Sequence, residues 1–197
     1  MTFKTMYSLP LANKRYYVQR AGKEWRARRF GFAPARETDI YVSSSAWLDP
    51  CAAFRASNTW KHSRYVLLRQ DLVLDFDTRG MGQVFRALDV LGALGHTRFL
   101  LVETSRGRHL WDFSFGDTLK MREDPYARAN HAAWEQYRIL NILLDNGVKL
   151  DFNASLGCKR VFRVPFSYHR AGVQCTARAI TLDKQTTQPE GARGASL

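Results

Sequence analysis

Asp71-Leu-Val-Leu-Asp-Phe-Asp77 decides how the rest of the chain is read. Side chains of a β-strand leave alternate faces, so Asp75 and Asp77 share one face while Leu74 and Phe76 turn the other way, into a core. Two carboxylates held side by side repel one another unless a cation lies between them. A pair on a rigid strand therefore suits Mg²⁺ or Mn²⁺, which prefer oxygen ligands. The same spelling also fits a solvated strand end leading into a turn, and the stretch alone does not choose between the two readings.

Moving outward from it, Tyr65-Val-Leu-Leu68 precedes as further strand material, and Gly80 and Gly82 close the strand region. Gln83 to Leu94 predicts a helix with Val84, Phe85, Leu88 and Leu91 on its buried face, stopped by Gly95. Arg98 to Glu103 reads as a strand, Ser105-Arg-Gly-Arg108 as a turn, and His109-Leu-Trp-Asp-Phe-Ser-Phe115 as an alternating strand with His109, Trp111, Phe113 and Phe115 on one face. Together these make a hairpin. Residues 116–127 read as a polar loop. Arg128 to Leu144 reads as a long helix with Ala133, Tyr137, Leu140 and Leu144 on its stripe, stopped by Asn146-Gly147. A further carboxylate, Asp151, follows in Lys149-Leu-Asp-Phe152. Next come Arg160-Val-Phe-Arg-Val-Pro-Phe-Ser-Tyr-His169 and a last strand, Ala177 to Leu182.

On the N-terminal side, Asp39-Ile-Tyr-Val-Ser43 predicts a short strand and Ser44 to Ser63 a loop. The segment from Tyr7 to Arg29 interleaves Arg with aromatics and is expected to be in part helical. It either grips phosphates and stacks on bases or buries one aromatic face. From Asp183 onward large apolar residues almost vanish, so residues 1–182 are expected to form one domain and residues 183–197 a disordered tail.

The 197 residues carry a net charge of +12. It is distributed unevenly: residues 1–70 are net +9, residues 71–150 net −1 and residues 151–197 net +4. An acidic centre between basic flanks suits a polyanionic partner around a metal, with nucleic acid the first choice. The 3 cysteines, Cys51, Cys158 and Cys175, form no Cys-x-x-Cys pair, so neither a disulfide framework nor a four-thiolate zinc site is expected, and a reducing compartment is. No apolar run is long enough for a transmembrane helix and no secretory signal is visible.

Four separated pieces carry the chemistry: Asp75 with Asp77, the Ser105-Arg-Gly-Arg-His109 turn, Asp151, and the Arg160, Arg163 and His169 segment. Three carboxylates suffice for two divalent cations. The turn offers backbone N–H groups, a hydroxyl and a guanidinium to phosphate oxygens, and two Arg with two His can cradle a triphosphate. In order and spelling these pieces resemble the archaeo-eukaryotic primase superfamily, in its catalytic small-subunit and primase-polymerase branch. That family has an Asp-x-Asp strand end, a Ser-(Gly)-Arg-Gly-x-His hairpin, a third Asp, and a basic segment closing in Pro-x-Ser-x-His. The opening Arg28-Arg-Phe-Gly-Phe32 and Asp39-Ile-Tyr41 are also similar, so the resemblance spans residues 15–182.

The resemblance implies an α/β fold with a central mixed or antiparallel sheet of RRM-like type, flanked by helices. It implies Asp75, Asp77 and Asp151 as catalytic ligands of two Mg²⁺ or Mn²⁺ ions, and Ser105, Arg106, Gly107, His109, Arg160, Arg163 and His169 as nucleotide contacts. The implied activity is primer synthesis on a single-stranded DNA template from nucleoside triphosphates, in the cytoplasm, with a large primase subunit or a helicase as partner and no membrane. A primer-extending polymerase and a non-catalytic nucleic-acid-binding module are its rivals. The chain departs from the family in several places. Residues 78–97 leave no room for a zinc-binding insertion and contain no Cys, so no structural zinc is expected. Ser43-Ser-Ser45 stands where relatives carry an Arg, the hairpin lacks one glycine, and the span from His109 to Asp151 is short.

Overall fold

The computed structural model describes residues 9–21, 24–28, 38–55, 66–119, 124, 127–157, 160–170 and 172–183. Residues 29–32 of the opening motif, Tyr65, Cys158 and the tail from residue 184 lie outside the described residues.

The chain is mixed α/β, with antiparallel sheets and several helices. The single central sheet expected from sequence is divided between two four-stranded sheets. The first runs β2-β1-β3-β9, built from β1 (Tyr17–Ala21), β2 (Glu24–Arg28), β3 (Ile40–Ser43) and β9 (Val161–Arg163). The second runs β10-β7-β8-β6, built from β6 (Leu72–Phe76), β7 (Arg98–Glu103), β8 (Arg108–Asp112) and β10 (Thr176–Thr181). β4 (Ser45–Trp47) and β5 (Leu67–Gln70) form a separate two-stranded ladder.

Strand alternation in the second sheet generates two cores. Leu72, Leu74 and Phe76 of β6, with Phe99, Leu101 and Leu110, face α2 (Gly82–Ala93) and α4 (Arg128–Asp145). Val73, Leu100, Val102 and Trp111 face the other way and meet Tyr17, Ile40, Val42 and Phe162 of the first sheet. The order of layers is therefore helices, second sheet, first sheet. Complete burial of a Leu or Phe contributes roughly 1.5–3 kcal/mol, so this alternation strongly specifies the register of β6. It also directs Asp75, which shares its face with Val73, into the gap between the sheets.

Several expectations are corrected. The segment expected to be part helical is the β1–β2 hairpin, with Tyr17↔Arg28 at one end of the register and Ala21↔Glu24 at the other. β1 lies between β2 and β3, and its Tyr17 and Val18 are buried on opposite faces. Buried central strands lose the amphipathic alternation that marks a strand in sequence. Ser44 to Ser63 was expected as loop, yet it contains β4 and α1 (Pro50–Arg55).

The alternating strand from His109 stops at Asp112, because that carboxylate caps a helix. Its Oδ1 accepts from the amides of Ser114 (2.9 Å) and Phe115 (3.2 Å). α3 (Phe113–Leu119) then replaces the end of the strand and the start of the expected loop.

The buried face of α4 comprises Ala129, Ala132, Gln136, Ile139, Leu140 and Leu143, whereas Tyr137 and Leu144 are exposed. Gln136 turns the helix. Its side chain is buried, accepts from Gly157 N–H at 3.0 Å and reaches the Asp71 carbonyl at 3.5 Å. Phe85 of α2 is likewise exposed, and Ala87 takes its place in the core.

A buried charged network joins the layers. Asp71 is fully buried between Arg15, whose Nη2 donates to Oδ2, and Arg69, whose Nε donates to Oδ1 at 2.6 Å. Arg69 continues to Asp117 Oδ1 at 2.6 Å. No helix among the described residues is long and apolar enough to cross a membrane. Cys51 is an exposed free thiol and Cys175 a buried one.

Candidate active site

β6 is an edge strand of its sheet, and its free side is covered by α5 (Phe152–Ser155). The Asp75 N–H donates to Ser155 Oγ at 3.0 Å, and the Asp75 carbonyl accepts from the Asp151 N–H at 2.8 Å. Ser155 Oγ also donates to the Asp151 carbonyl at 2.8 Å, closing the clamp. Asp151 is the N-cap of α5, its Oδ1 accepting from Ala154 N–H at 2.8 Å. The third carboxylate is thus fixed beside the first through main-chain bonds.

The electrostatics record this crowding. Asp75 is pushed up to about 6, by burial first and then by the charges of Asp77 and Asp151. A carboxylate so raised gains most from a cation that would restore its ionised form. The carboxylates offer oxygen donors, which fit a hard divalent ion such as Mg²⁺ or Mn²⁺. Among the described residues no three ligating side chains form a ready-made cage. Mg²⁺ commonly takes one or two carboxylates and completes its shell with substrate phosphates.

His109 lies directly across the ladder from Asp75, its Nε2 3.6 Å from Asp75 Oδ1. That gap is longer than a hydrogen bond. The His109 pKa is lowered to about 3, by burial first and by Arg163 next, so the imidazole is neutral at pH 7. Its Nδ1 is buried and has no hydrogen-bond partner among the described residues.

The turn from Thr104 to Gly107 rides over the end of β6. A Cβ at Gly107 would lie 2.0 Å from the Phe76 carbonyl oxygen, so only glycine fits there. The expectation that this turn offers its N–H groups to phosphate is corrected for two of them. The Arg106 and Gly107 amides donate to Thr104 Oγ1, at 3.4 Å and 3.1 Å. Thr104, Ser105, Arg106 and Gly107 all line the cleft.

The first sheet supplies Arg20, Tyr41 and Arg163, with Asp39 just before β3 and His169 and Arg170 further along the chain. Together with Asp75, Asp77, the turn and His109 they line one cleft of about 220 Å³. Arg163 does not extend freely into it: Nη1 donates to Asp39 Oδ1 at 2.9 Å, Nη2 to Tyr41 Oη at 2.8 Å, and the guanidinium lies 4.7 Å from the Tyr41 ring centroid. Burial raises the Asp39 carboxyl, but the hydrogen bond and charge of Arg163 outweigh it and leave it below the ordinary carboxylate range. His169 is shifted down, by desolvation first and Arg163 second. Asp39 itself adopts a left-handed backbone (φ 55°), an uncommon geometry for a non-glycine residue, and one often associated with functional sites.

Of the ten residues singled out in sequence, Asp75, Asp77, Ser105, Arg106, Gly107, His109, Arg163 and His169 share this cleft. Asp151 is not among its lining residues; its amide is bonded to the Asp75 carbonyl at the free edge of β6. Arg160 belongs elsewhere: its Nε donates to the Leu156 carbonyl at 2.9 Å, and it lines an adjoining pocket. Arg160 precedes β9 and is turned back onto the Leu156 carbonyl, whereas Arg163 is the last residue of that strand.

Arg20, Asp39, Tyr41, Arg170 and Ser155 were not singled out. The Asp39-Ile-Tyr41 spelling points toward two of them and the Arg-aromatic segment from Tyr7 to Arg29 toward Arg20, whereas Ser155 acts through one hydroxyl on a neighbouring backbone. No known protein-family model matches the chain, and no curated protein matches its sequence.

Proposed function

We propose that the chain is a template-dependent nucleotidyltransferase. It makes short primers on single-stranded DNA from nucleoside triphosphates, with Mg²⁺ or Mn²⁺ held by Asp75, Asp77 and Asp151. One observation carries the reading: carboxylates of one sheet and guanidiniums from both sheets line a single cleft. A polyphosphate accompanied by cations that the carboxylates would hold is the ligand that satisfies both kinds of group.

In this reading Arg20, Arg106 and Arg170 spread positive charge along the triphosphate, and the Ser105 hydroxyl donates to one of its oxygens. Arg163, fixed by Asp39 and Tyr41, contributes a preorganised field rather than a flexible contact. Neutral His109 packs against Asp75 without competing for its charge. When bound, the divalent ions supply neutralisation of the phosphates and a lowered pKa for the attacking 3′-hydroxyl. The reaction is displacement at the α-phosphate with pyrophosphate leaving. The protein's own contribution is positioning and electrostatics, with no covalent intermediate.

The test incubates the chain with single-stranded template, Mn²⁺ or Mg²⁺ and labelled nucleoside triphosphates, with and without a primer. Primer-free products that disappear in Asp75→Ala and Asp77→Ala support a primase. Products formed only from a supplied primer replace it with a primer-extending polymerase. Binding of single-stranded DNA with no synthesis leaves a nucleic-acid-binding module.

A further inference from the structure

Asp75, His109 and Tyr41 line the basic cleft on one side and a second, larger pocket of about 480 Å³ on the other. The two differ sharply in chemistry. The cleft is walled by guanidiniums and carboxylates. The second pocket is walled by Tyr16, Trp25, Tyr41, Phe54 and Phe162, with Val18 and Val161 among them. The rings come from separate elements: Trp25 from β2, Tyr41 from β3, Phe54 from α1 and Phe162 from β9. Tyr41 forms the partition. Arg163 lies over its ring and donates to its hydroxyl on the cleft side, while Trp25 meets the ring edge-on at 5.2 Å. Trp25 is 44 % exposed, leaving part of its indole open to a ligand. Phe54 packs on Tyr16 at 5.5 Å and is only partly buried.

We infer that this aromatic pocket holds the nucleobase and sugar of a nucleotide whose phosphates lie in the adjoining cleft. The inference rests on the polyphosphate reading of that cleft and extends it to the other half of the ligand. A nucleotide has a flat, stackable end and a polyanionic end, and the two cavities meeting at Asp75 and His109 match those ends in order. The polar groups near the pocket, Asp75, His109 and Arg160, stand at its junction with the cleft or are tied to backbone, as Arg160 is to Leu156. Its aromatic walls carry few groups able to read a base edge. Recognition is therefore by stacking, which every base permits, and purines with their larger face bind more tightly than pyrimidines. Base identity is left to pairing with a template.

The probe is 2-aminopurine nucleoside triphosphate with Mn²⁺ and the full chain, followed by its fluorescence, with inorganic tripolyphosphate as the phosphate-only ligand followed by calorimetry. Stacking quenches 2-aminopurine, so binding is expected to darken it. Trp25→Ala and Phe54→Leu, the second keeping apolar volume against Tyr16, weaken nucleotide binding about fivefold or more and relieve the quenching. Phe54→Leu leaves tripolyphosphate affinity unchanged, which also reports that the fold and the cleft are intact; the Trp25 indole lies 5.8 Å from the Arg20 guanidinium, so Trp25→Ala must weaken the nucleotide by more than it weakens tripolyphosphate. Unquenched binding, or wild-type nucleotide affinity in both variants, overturns the inference. Quenched binding by a chain that synthesises nothing upholds the pocket while removing the polymerase reading. Primer synthesis unaffected by either variant does the reverse.

Discussion

The main-chain carbonyl of Asp75 accepts a 2.8 Å hydrogen bond from the amide of Asp151, although 76 positions separate them in the chain. That bond, with Ser155 Oγ on the Asp75 amide, makes α5 the cover of an otherwise open strand edge. It also fixes the spacing of the carboxylates from the backbone rather than through flexible side chains.

Ser155→Ala removes the hydroxyl that serves both the Asp75 amide and the Asp151 carbonyl. Loss of a partner for a buried amide costs about 1–2 kcal/mol. The expected result is a melting temperature lowered by a few degrees, together with a several-fold weaker Mn²⁺ affinity by electron paramagnetic resonance. A variant that loses stability and keeps metal affinity assigns Ser155 to the fold alone.

Asp75→Asn stabilises the metal-free protein at neutral pH. The folded-state pKa near 6 lies above the ordinary carboxylate value, so the folded form binds the extra proton between about pH 4 and 6. Stability therefore falls as pH rises through that window, by about 2 kcal/mol once Asp75 is ionised. The variant escapes this loss. It should be more stable than the parent at pH 7.5 and no more stable at pH 4, as read from urea unfolding at the two pH values. Added Mn²⁺ raises the melting temperature of the parent and leaves the variant unmoved.

Gly107→Ala forces a methyl against the Phe76 carbonyl, an atom of the rigid β6 backbone. Overpacking of this kind costs roughly 1–3 kcal/mol or more. Because the displaced atoms adjoin Asp77, nucleotide binding is expected to fall with stability. A variant with the parent's urea midpoint contradicts the close approach of turn and strand.

Strand β6 and its facing were legible because one side of it is a continuous aliphatic row, and the hairpin and the last strand were legible for similar reasons. The N-terminal hairpin was not, since Tyr16, Tyr17 and Val18 are all buried and show no alternation. The α3 start was hidden by Asp112, which reads as a strand residue and acts as a cap. In the site, each motif was visible as a local spelling. The carboxylate at Asp71, the Asp39–Arg163 pair and the Ser155 clamp depend on contacts between distant segments, which no single stretch encodes.

Asp71→Asn tests the buried network. The substitution leaves buried Arg15 without a full counter-charge while Arg69 keeps Asp117, and breaking a buried pair costs about 3–5 kcal/mol. A large drop in the urea midpoint is expected, with Gly116→Ala destabilising in the same direction because its Cβ would fall 2.5 Å from Asp71 Oδ1. A mild effect of Asp71→Asn would mean that the guanidiniums find other acceptors.

Arg106 and Arg163 line the same cleft and should fail in different ways. Arg106 is exposed, so Arg106→Ala is expected to change stability by no more than about 0.5 kcal/mol while weakening triphosphate binding severalfold, with the loss greatest at low salt. Arg163 is nearly buried and carries Asp39 and the Tyr41 hydroxyl. Arg163→Ala strands a buried carboxylate, and the protein should lose about 2–4 kcal/mol of stability along with nucleotide affinity. Asp39 then returns toward a protonated form, so part of the lost stability is regained at low pH. Paired measurement of melting temperature and triphosphate affinity separates the two arginines. Equal stability losses would mean that Arg163 is no more structural than Arg106, and the reading of it as a fixed source of field would fail.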